Sequence, residues 1–431
     1  MITVGAFAVL GLWWQDTEFV YGLGGWLTNA GRLTGLACGY AILVVLALMA
    51  RVPAVERGVG ADRLARWHAA GGRYCVSLAV AHTVLIIWGY AVTAHSAVVS
   101  ETETLELSYP DVLMATAALG LLVLVGITSA RAARRKLRYE TWHLIHLYTY
   151  LAVSLSFAHV FATGADFTDF RVRAAWLGLY LAVGLGLLWY RAITPLISLS
   201  RHSLRVVAVS PHGDDTLSVV VRGRQLDRLD AQPGQFFRWR FLTRELWGAS
   251  NPYSLSAPRR GDHLRFTVRV AGHHSEALRR LRPGTRVLVE GPYGAFTGDP
   301  ALRSRRGRKT GKVLLIGIGI GITPIRALFE SIPARPGGVT LLYRARHESD
   351  LVLRTEIDHI AATRQARVHY LLGRRSKNDH LNLRNLRQLV PDLADREVYL
   401  CGPDELVRRL TRELRQAGVA RGGIHFESFT L

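Results

Sequence analysis

Apolar stretches of helical length alternate with short charged segments over the first half of the chain. Because a helix rises about 1.5 Å per residue, about 20 apolar residues are needed to cross the roughly 30 Å core of a bilayer. Five stretches approach that length, near residues 33–50, 68–93, 112–130, 140–161 and 174–190. A sixth, residues 2–14, is shorter and is expected to be a trimmed first helix or the result of a misplaced start; without a basic segment before it, a signal peptide is disfavoured. The pattern predicts a six-helix, all-α transmembrane bundle over residues 1–195.

The pattern changes after residue 200, where short runs of alternating apolar and polar residues are separated by Gly and Pro. Such runs lie at Leu204–Val209, Leu217–Val221, Leu264–Val270 and Val287–Glu290. They predict an antiparallel β-barrel over residues 200–298, joined to the apolar half by a linker at 193–204.

A third pattern begins near residue 313. The apolar strand Val313–Ile316 leads into a glycine-rich turn and a helix, and further strands near 339–343 and 397–400 alternate with helices. This order predicts a doubly wound α/β nucleotide-binding domain over residues 299–431. The basic stretch Arg303–Lys312 is expected to be a solvated loop between the two domains.

Composition and charge narrow the possible classes of protein. The 431 residues are 49% hydrophobic with a mean hydropathy of +0.15, and the formal net charge is +21. Because the cations are spread over loops and helix faces without a nucleic-acid-binding motif, we exclude nucleic acid as a partner. Segments 51–66 and 131–138 are basic, whereas 95–111 and 164–170 are acidic. The positive-inside rule therefore predicts a multi-pass protein of the plasma membrane, with its C-terminal half in the cytoplasm.

Four histidines lie inside apolar stretches, where an imidazole is costly unless it has a partner. His68 and His82 are 14 residues apart, so an ideal helix points both rings the same way at depths about 21 Å apart. His146 and His159 are 13 residues apart, which requires a helix distortion or a swing of the rings. The topology makes His68 face His146, the inner pair, and His82 face His159, the outer pair.

Two imidazoles that face each other are suited to be axial ligands of haem iron, so the two pairs predict two b-type haems stacked across the membrane. Gly71 and Gly72 are expected to leave room for a macrocycle. The alternative is that the histidines bridge helices by hydrogen bonds. His143, one turn before His146, and His95, at a helix end, are weaker candidates.

Asn251-Pro-Tyr-Ser-Leu-Ser follows Gly234-Gln-Phe-Phe in the predicted barrel. These motifs resemble the flavin-binding segment of the ferredoxin-NADP reductase fold. The resemblance implies that Tyr253 lines FAD and that the Ser254 hydroxyl reaches the flavin N5. Asn251 stands where the family has a basic residue, and Arg269 and Ser275 are expected to contact the flavin phosphates instead. On its own, Asn-Pro-Tyr-Ser is also typical of a turn.

Glycines at 317, 319 and 321 follow a predicted strand and open a helix, which lets the backbone approach a pyrophosphate. The strict dehydrogenase fingerprint is not met, because position 322 is Ile. The run instead resembles the nicotinamide-binding lobe of the reductases, as do the residues at 401–403. The resemblance assigns cofactor binding to Gly319, Gly321, Thr323, Pro324, Cys401, Gly402 and Pro403.

Arg344 and Arg346 follow the next predicted strand, where the reductases bind the 2'-phosphate of NADPH. Guanidinium groups suit phosphate, so NADPH is expected rather than NADH. The reductases also commonly stack an aromatic residue near the chain end on the flavin. Phe429 is expected to take that role, with Phe426 as a possible substitute.

In sequence order, the whole chain resembles the NADPH oxidase and ferric reductase superfamily. The resemblance implies electron transfer from NADPH through FAD and two b-type haems to an external acceptor. It also places Arg32, 19 residues before Arg51, near the outer haem and an oxygen site; an ordinary interfacial arginine is the alternative.

O2, giving superoxide, is the expected acceptor because of Arg32 and because the external segments are too short for a chelate-binding lid. A ferric chelate is the rival. Two other functions stay open: an electron-relay subunit that docks an external protein through Glu101–Asp111, and a haem-free, membrane-anchored flavin reductase.

Overall fold

The computed structural model describes residues 2–15, 17, 20–134, 136–137, 139–298, 311–373 and 381–429. The chain divides into two compact units, Met1–Ala192 and Ile193–Leu431, which we call the helical unit and the sheet unit. The prediction of an apolar helical region followed by a module with sheets is confirmed. The loop expected at Arg303–Lys312 lies largely outside the described residues.

The helical unit contains nine α-helices in the described part of the chain. They are α1 (Ile2–Gln15), α2 (Gly22–Leu48), α3 (Pro53–Val59), α4 (Ala61–Ala94), α5 (Val98–Ser108), α6 (Val112–Ser129), α7 (Arg131–Arg134), α8 (Tyr139–Thr163) and α9 (Phe170–Leu188). Helix α2 packs along α4, and α6 packs along α8.

Among the described residues, five helical segments are long and apolar enough to cross a membrane, as predicted, and α1 is shorter. The segments are Gly22–Leu48, Arg63–Ala94, Val112–Ser129, Thr141–Thr163 and Phe170–His202. Only 6% to 28% of each apolar window is buried inside the protein. Apolar surface that the protein leaves uncovered to this extent is typical of a membrane-facing bundle.

The helices differ from the sequence pattern in three places. Helix α2 begins at Gly22, whereas the apolar stretch begins near residue 33, because glycines and polar residues lower the hydropathy of its first three turns. The acidic segment 95–111 contains the helix α5. The expected linker at 193–204 is mostly the helix α10 (Thr194–His202), reached through a π-helical turn at Trp189–Ile193 and favoured by a proline near its start.

The first lobe of the sheet unit, which we call the barrel lobe, has six antiparallel strands. They are β1 (Arg205–His212), β2 (Thr216–Arg222), β3 (Phe236–Phe241), β4 (Asn251–Ser254), β5 (His263–Arg269) and β6 (Val287–Tyr293), with the short helix α11 (His273–Ala277) after β5. They form two sheets in the orders β1-β2-β5 and β4-β3-β6. Alternating inward residues such as Phe237, Trp239 and Phe241 are fully buried in their common core.

The second lobe, the nucleotide lobe, is a five-stranded sheet in the order β11-β10-β7-β8-β9 with all neighbours parallel. Its strands are β7 (Val313–Ile318), β8 (Val339–Ala345), β9 (Arg367–Leu372), β10 (Glu397–Pro403) and β11 (Ile424–Phe429). Its helices are α12 (Ile322–Ser331), α13 (Arg354–Arg364), α14 (Leu383–Leu389) and α15 (Asp404–Gln416). Every residue of β7 and β8 is buried, as expected for central strands covered on both faces.

Candidate functional site

The structure brings each predicted histidine pair together between α4 and α8. The ring centres of His68 and His146 are 5.9 Å apart, and those of His82 and His159 are 6.4 Å apart. Helix α8 runs unbroken from Tyr139 to Thr163, so the 13-residue spacing is accommodated by the side chains and not by a break. The four rings therefore form two facing pairs, 14 residues apart along α4.

Backbone carbonyls of α2 orient the two histidines of α4. The Nδ1 atom of His82 lies 2.8 Å from the Gly31 carbonyl oxygen, and that of His68 lies 3.1 Å from the Val45 carbonyl oxygen. A carbonyl can only accept, so each Nδ1 carries the proton. The lone pair of Nε2 is then available to a metal, which is the usual arrangement around a metal-bound histidine.

The α8 histidines differ in their local partners. The Thr163 hydroxyl donates to the His159 carbonyl at 2.9 Å and lies 3.0 Å from His159 Nδ1, so it can accept the Nδ1 proton. Nδ1 of His146 is buried and has no hydrogen-bond partner among the described residues. Trp142 instead stacks on the His146 ring, with centres 5.1 Å apart and planes at 23°.

These pairs fit haem iron. Two imidazoles bound to one metal, each with its nitrogen about 2 Å away, have ring centres about 6 Å apart. A pair supplies only two ligands, fewer than the three or four that zinc takes from a protein, whereas haem iron needs only axial ligands. The alternative, in which the histidines bridge helices by hydrogen bonds, holds for Nδ1 of His68 and His82, which bond to carbonyls of α2, and it leaves their Nε2 atoms unused.

Glycines of α2 and α4 determine how closely other atoms can approach the histidine pairs, although not every glycine acts as expected. A Cβ on Gly72 would meet nothing within 4 Å, whereas one on Gly71 would lie 2.5 Å from a Val45 methyl carbon. Gly71 therefore serves the contact between α4 and α2, which corrects its assignment to the macrocycle. Gly35 was not predicted to matter here, but a Cβ on it would lie 2.7 Å from His82 Nδ1. The glycines at 31, 35 and 39 form a small-residue stripe that could have revealed this close approach.

A cavity of about 300 Å³ surrounds the outer pair. Arg32 lines it, and its Nη2 atom is 2.6 Å from Oδ1 of Asp166, on the turn after α8. The Arg32 side chain is 20% exposed and the Asp166 side chain only 4%, so an ordinary interfacial arginine does not describe Arg32. Arg32 is the eleventh residue of α2.

Helix α5 contributes part of the wall of this outer cavity, through Thr102, Leu105 and Glu106. Glu106 accepts a hydrogen bond of 3.1 Å from the Thr116 hydroxyl, and Glu101 is buried and accepts one of 2.8 Å from Ser96. The expectation that the external segments are too short for a chelate-binding lid stays a prediction, whereas the part that α5 takes in the cavity wall was not predicted. Hydropathy and charge gave no signal for α5, because only two of its residues are buried.

In the barrel lobe, β4 carries the predicted flavin-binding residues. Tyr253 stacks on Phe266 with ring centres 4.9 Å apart, and burial raises the pKa of its hydroxyl. That hydroxyl lies 3.3 Å from Nδ1 of His274, a neighbour that the sequence analysis missed. Asn251 begins β4, and Ser254 ends it in a buried position opposite Phe236.

The two residues expected at the flavin phosphates are engaged elsewhere. Arg269 is paired with Asp215, with its Nη2 atom 2.7 Å from Oδ2. The Ser275 hydroxyl accepts hydrogen bonds from the amides of Ala271 and Gly272 and donates to the Gly272 carbonyl. Ser275 therefore holds its own turn together, and its contact with the flavin phosphates stays a prediction.

In the nucleotide lobe, two motifs that are far apart in sequence meet at the ends of β7 and β10. A Cβ on Gly321 would lie only 2.4 Å from the Cys401 carbonyl oxygen, and one on Gly402 would lie 2.8 Å from Cβ of Ile318. Gly319 has φ +56° and open space beside it. The meeting point is where the strand order reverses, which is where sheets of this kind bind nucleotides.

Side chains complete this loop. The Thr323 hydroxyl donates to the Ile320 carbonyl at 3.0 Å, and Thr323 and Pro324 are buried at the start of α12. Cys401 is fully buried, which raises the pKa of its thiol. Pro403 ends β10 and is paired in register with Phe429 of β11.

The arginines expected at the 2'-phosphate differ in their surroundings. Arg344 lies within β8 and is 8% exposed, whereas Arg346 is exposed just beyond the strand. Of the two, Arg346 is the one open to a ligand. Phe426 is 54% exposed on β11, and Phe429 is partly buried against the core of the nucleotide lobe.

Each of the two units contains a stretch that matches a known protein family. Residues 34–157 match the ferric reductase like transmembrane component, and residues 315–412 match the oxidoreductase NAD-binding domain. The two domains, in this order, match the NADPH oxidase and ferric reductase-like superfamily. The resemblance drawn from the sequence is thereby confirmed, and this ferric reductase-like protein is an oxidoreductase.

Individual relatives match about half of this ferric reductase-like chain. Ferredoxin--NADP reductase B of Sorangium cellulosum is 29% identical over 52% of the chain and 96% of its own length. The flavohemoprotein of Chromobacterium violaceum is 30% identical over 46% of this chain. The match covers only 52% of the length of that relative. Among solved structures, the ferredoxin reductase in carbazole 1,9a-dioxygenase is 26% identical, covers 53% of this chain and 68% of its own, and has a TM-score of 0.43.

Proposed function

We propose that this protein moves electrons across the plasma membrane, from cytoplasmic NADPH through FAD and two b-type haems to O2 outside, giving superoxide. The observation that carries the proposal is the presence of two facing histidine pairs, with ring centres 5.9 Å and 6.4 Å apart, between α4 and α8. A single pair would serve one haem. Two pairs, about 21 Å apart along α4, supply the two steps that a crossing of the bilayer requires.

The protein's own residues would hold the haems from two sides. The inner pair, His68 and His146, and the outer pair, His82 and His159, would supply the axial Nε2 atoms. The α2 carbonyls fix the ring orientation of His68 and His82, and Thr163 does the same for His159. Bound in these places, FAD would divide the electron pair of a hydride and haem iron would carry single electrons.

The sheet unit would bind NADPH and FAD at the two sites described above. Gly319 and Gly321 let the backbone approach a pyrophosphate at the start of α12, and Arg346 is open to the 2'-phosphate. Tyr253 and Ser254 of β4 would contact the flavin. Phe429, in register with Pro403, would stack on it.

The acceptor would react in the outer cavity. Arg32 is held there by Asp166, so its guanidinium is fixed beside the outer pair, where it can stabilise a developing anion such as superoxide. Walls contributed by α5 favour a small acceptor over a ferric chelate. Docking of an external protein on Glu101–Asp111 is less well supported, because Glu101 is buried and Glu106 faces the cavity.

Spectroscopy of purified protein tests the proposal. We expect two low-spin haems per chain and superoxide formation with NADPH and FAD. His82→Ala should leave one haem and lower superoxide formation at least 100-fold while flavin reduction continues. His95→Ala is the matched control, because His95 is an exposed histidine at the end of the same helix, and it should keep both haems.

Three outcomes would contradict the proposal in different ways. Protein without haem absorbance, despite an adequate haem supply, would indicate a membrane-anchored flavin reductase. Full superoxide output from His82→Ala would remove the outer haem from the path. Faster anaerobic reduction of a ferric chelate than of O2 in air would identify a ferric reductase.

A further inference from the structure

Five charged side chains join the two lobes of the sheet unit; we call them the ionic clamp. Arg265 of β5 donates to both carboxylate oxygens of Glu356 of α13, each at 2.7 Å. Arg326 of α12 also reaches Glu356, with Nη2 2.9 Å from Oε2, and pairs with Glu330. Arg260 completes the clamp, with Nη2 2.7 Å from Oε1 of Glu330.

The centre of the ionic clamp, formed by Arg326, Arg265 and Glu356, is largely shielded from solvent. The side chain of Arg326 is only 4% exposed, and those of Arg265 and Glu356 are 20% and 33% exposed. Burial opposes ionisation of Glu356, but hydrogen bonds from Arg265 and the charge of Arg326 hold its pKa below its usual range. A carboxylate bound by two guanidiniums in such a place is strongly oriented, and removing it leaves buried charge without a partner.

At one end, the clamp holds the segment that follows the flavin motif. Nε of Arg265 donates to the Ser256 hydroxyl at 3.1 Å, and its Nη2 donates to the Ser256 carbonyl at 3.2 Å. The Thr267 hydroxyl donates to the same Ser256 hydroxyl at 2.8 Å. Ser256 is two residues after Ser254, so Arg265 fixes the end of the strand that is proposed to contact the flavin.

At its other end, the clamp holds the nucleotide-binding helix. Arg326 is three residues after Thr323, in the first turns of α12, directly behind the glycine loop. Glu356 lies near the start of α13, which follows β8 and Arg346. The Glu356 carboxylate is therefore shared between Arg265 of the barrel lobe and Arg326 of the nucleotide lobe.

We propose that Glu356 is a positioning residue, whose carboxylate locks β5 and α12 together and thereby sets the distance over which hydride passes from nicotinamide to flavin. The inference rests on the proposed function only in that NADPH reduces FAD. It is independent of the haems. Hydride transfer is sensitive to small errors of placement, so a loosened clamp should slow the transfer step more than it weakens nucleotide binding.

The test is stopped-flow reduction of FAD by NADPH under anaerobic conditions, with the full-length protein in detergent. Glu356→Gln should lower the limiting rate of flavin reduction at least tenfold and change the NADPH dissociation constant less than threefold. The primary isotope effect, measured with NADPH deuterated at the transferred position, should also change. Asp262→Asn is the control: it breaks an ion pair with Arg222 in the same lobe, but those side chains are 44% and 67% exposed, and no effect is expected.

A second variant separates positioning from stability. Arg265→Met combined with Glu356→Leu replaces two of the ions by apolar groups, which often preserves folding, and leaves Arg326 paired with Glu330. We expect this variant to keep its FAD and to melt within a few degrees of the wild type, yet to reduce FAD at least tenfold more slowly.

Two results would overturn the inference: a wild-type rate of flavin reduction in folded Glu356→Gln, or a wild-type rate in the double variant. If Glu356→Gln does not fold, the double variant decides. If the wild type itself shows no reduction of FAD by NADPH, the proposed function fails instead. Flavin reduction in a protein without haem would leave the role of Glu356 fully testable.

Discussion

The two units of this protein build their sites from different parts of the chain. In the helical unit the proposed site consists of side chains, four imidazoles and one guanidinium, projected from helices into shared space. In the nucleotide lobe of the sheet unit it belongs mainly to the backbone, where Gly319 and Gly321 bring a loop close to the end of β10. The first kind of site depends on helical spacing, and the second on which strands are neighbours.

The difference follows from the surroundings of each unit. A membrane span satisfies its backbone groups internally, so only side chains, or backbone carbonyls that accept a second bond, can bind a ligand. The Gly31 and Val45 carbonyls do the latter for the histidines of α4. At the end of a parallel strand the backbone amides are free of the ladder, and a glycine turn can present them to an anion.

Of the three variants that test this contrast, the one with the largest expected effect concerns the backbone site. In Gly321→Ala the new methyl group would lie 2.4 Å from the Cys401 carbonyl oxygen, so the loop or β10 must move. Overpacking of this kind costs about 1–3 kcal/mol and here falls on the nucleotide site. We expect reduction of FAD by NADPH to fall at least 30-fold, measured by stopped flow, with the haem spectrum unchanged.

Gly422→Ala is the control for this change, since a methyl group there would meet nothing within 4 Å. It should leave the rate of flavin reduction unaltered. Equal activity of Gly321→Ala and the wild type would mean that the close approach of the two strand ends is not needed, and the contrast between the two units would fail on the sheet side.

The same contrast explains how much the sequence could predict. The histidine pairs could be predicted because spacing along a helix is a local property. The α/β lobe could be predicted because its central strands are uniformly apolar. The roles of Tyr253, Ser254 and Thr323 came only from resemblance to a family, since a turn motif does not say which strand end it will meet. The hydrogen bonds of the Ser275 hydroxyl within its own turn were not predicted, because spacing does not reveal them.

What could not be predicted was mostly long-range. Arg265 and Glu356 are 91 residues apart, and either one alone looks like a surface charge. Arg32 and Asp166 are 134 residues apart, so the partner of the predicted arginine was not visible. Helix α5 was missed because hydropathy detects membrane spans, not a short helix that covers a cavity.

An intermediate effect tests the side-chain site. Arg32→Gln removes the positive charge of the outer cavity and leaves Asp166, 4% exposed, without its guanidinium. Loss of one oriented charged donor beside a developing anion should lower superoxide formation about tenfold, which corresponds to about 1.4 kcal/mol. The haem content and the reduction of both haems by NADPH without O2 should persist, as followed by absorbance.

Arg171→Gln is the matched control for Arg32, because Arg171 is an exposed arginine at the start of α9. It should retain full superoxide formation. If both variants lose activity equally, a general change of membrane-surface charge explains the loss, and the cavity guanidinium has no special role.

The smallest effect concerns Arg346, beyond β8. It is a side chain proposed to bind the ligand in a lobe whose site is otherwise made mainly of backbone. An exposed guanidinium that binds a phosphate in water contributes about 1 kcal/mol, because solvent and salt screen it. Arg346→Ala should therefore raise the KM for NADPH about fivefold and leave the KM for NADH unchanged, measured by steady-state flavin turnover. Arg367→Ala, an exposed arginine at the opposite end of the neighbouring strand β9, should change neither constant. An equal rise for NADPH and NADH would show that Arg346 acts on the loop and not on the 2'-phosphate, so that the nucleotide lobe would recognise its substrate by backbone alone.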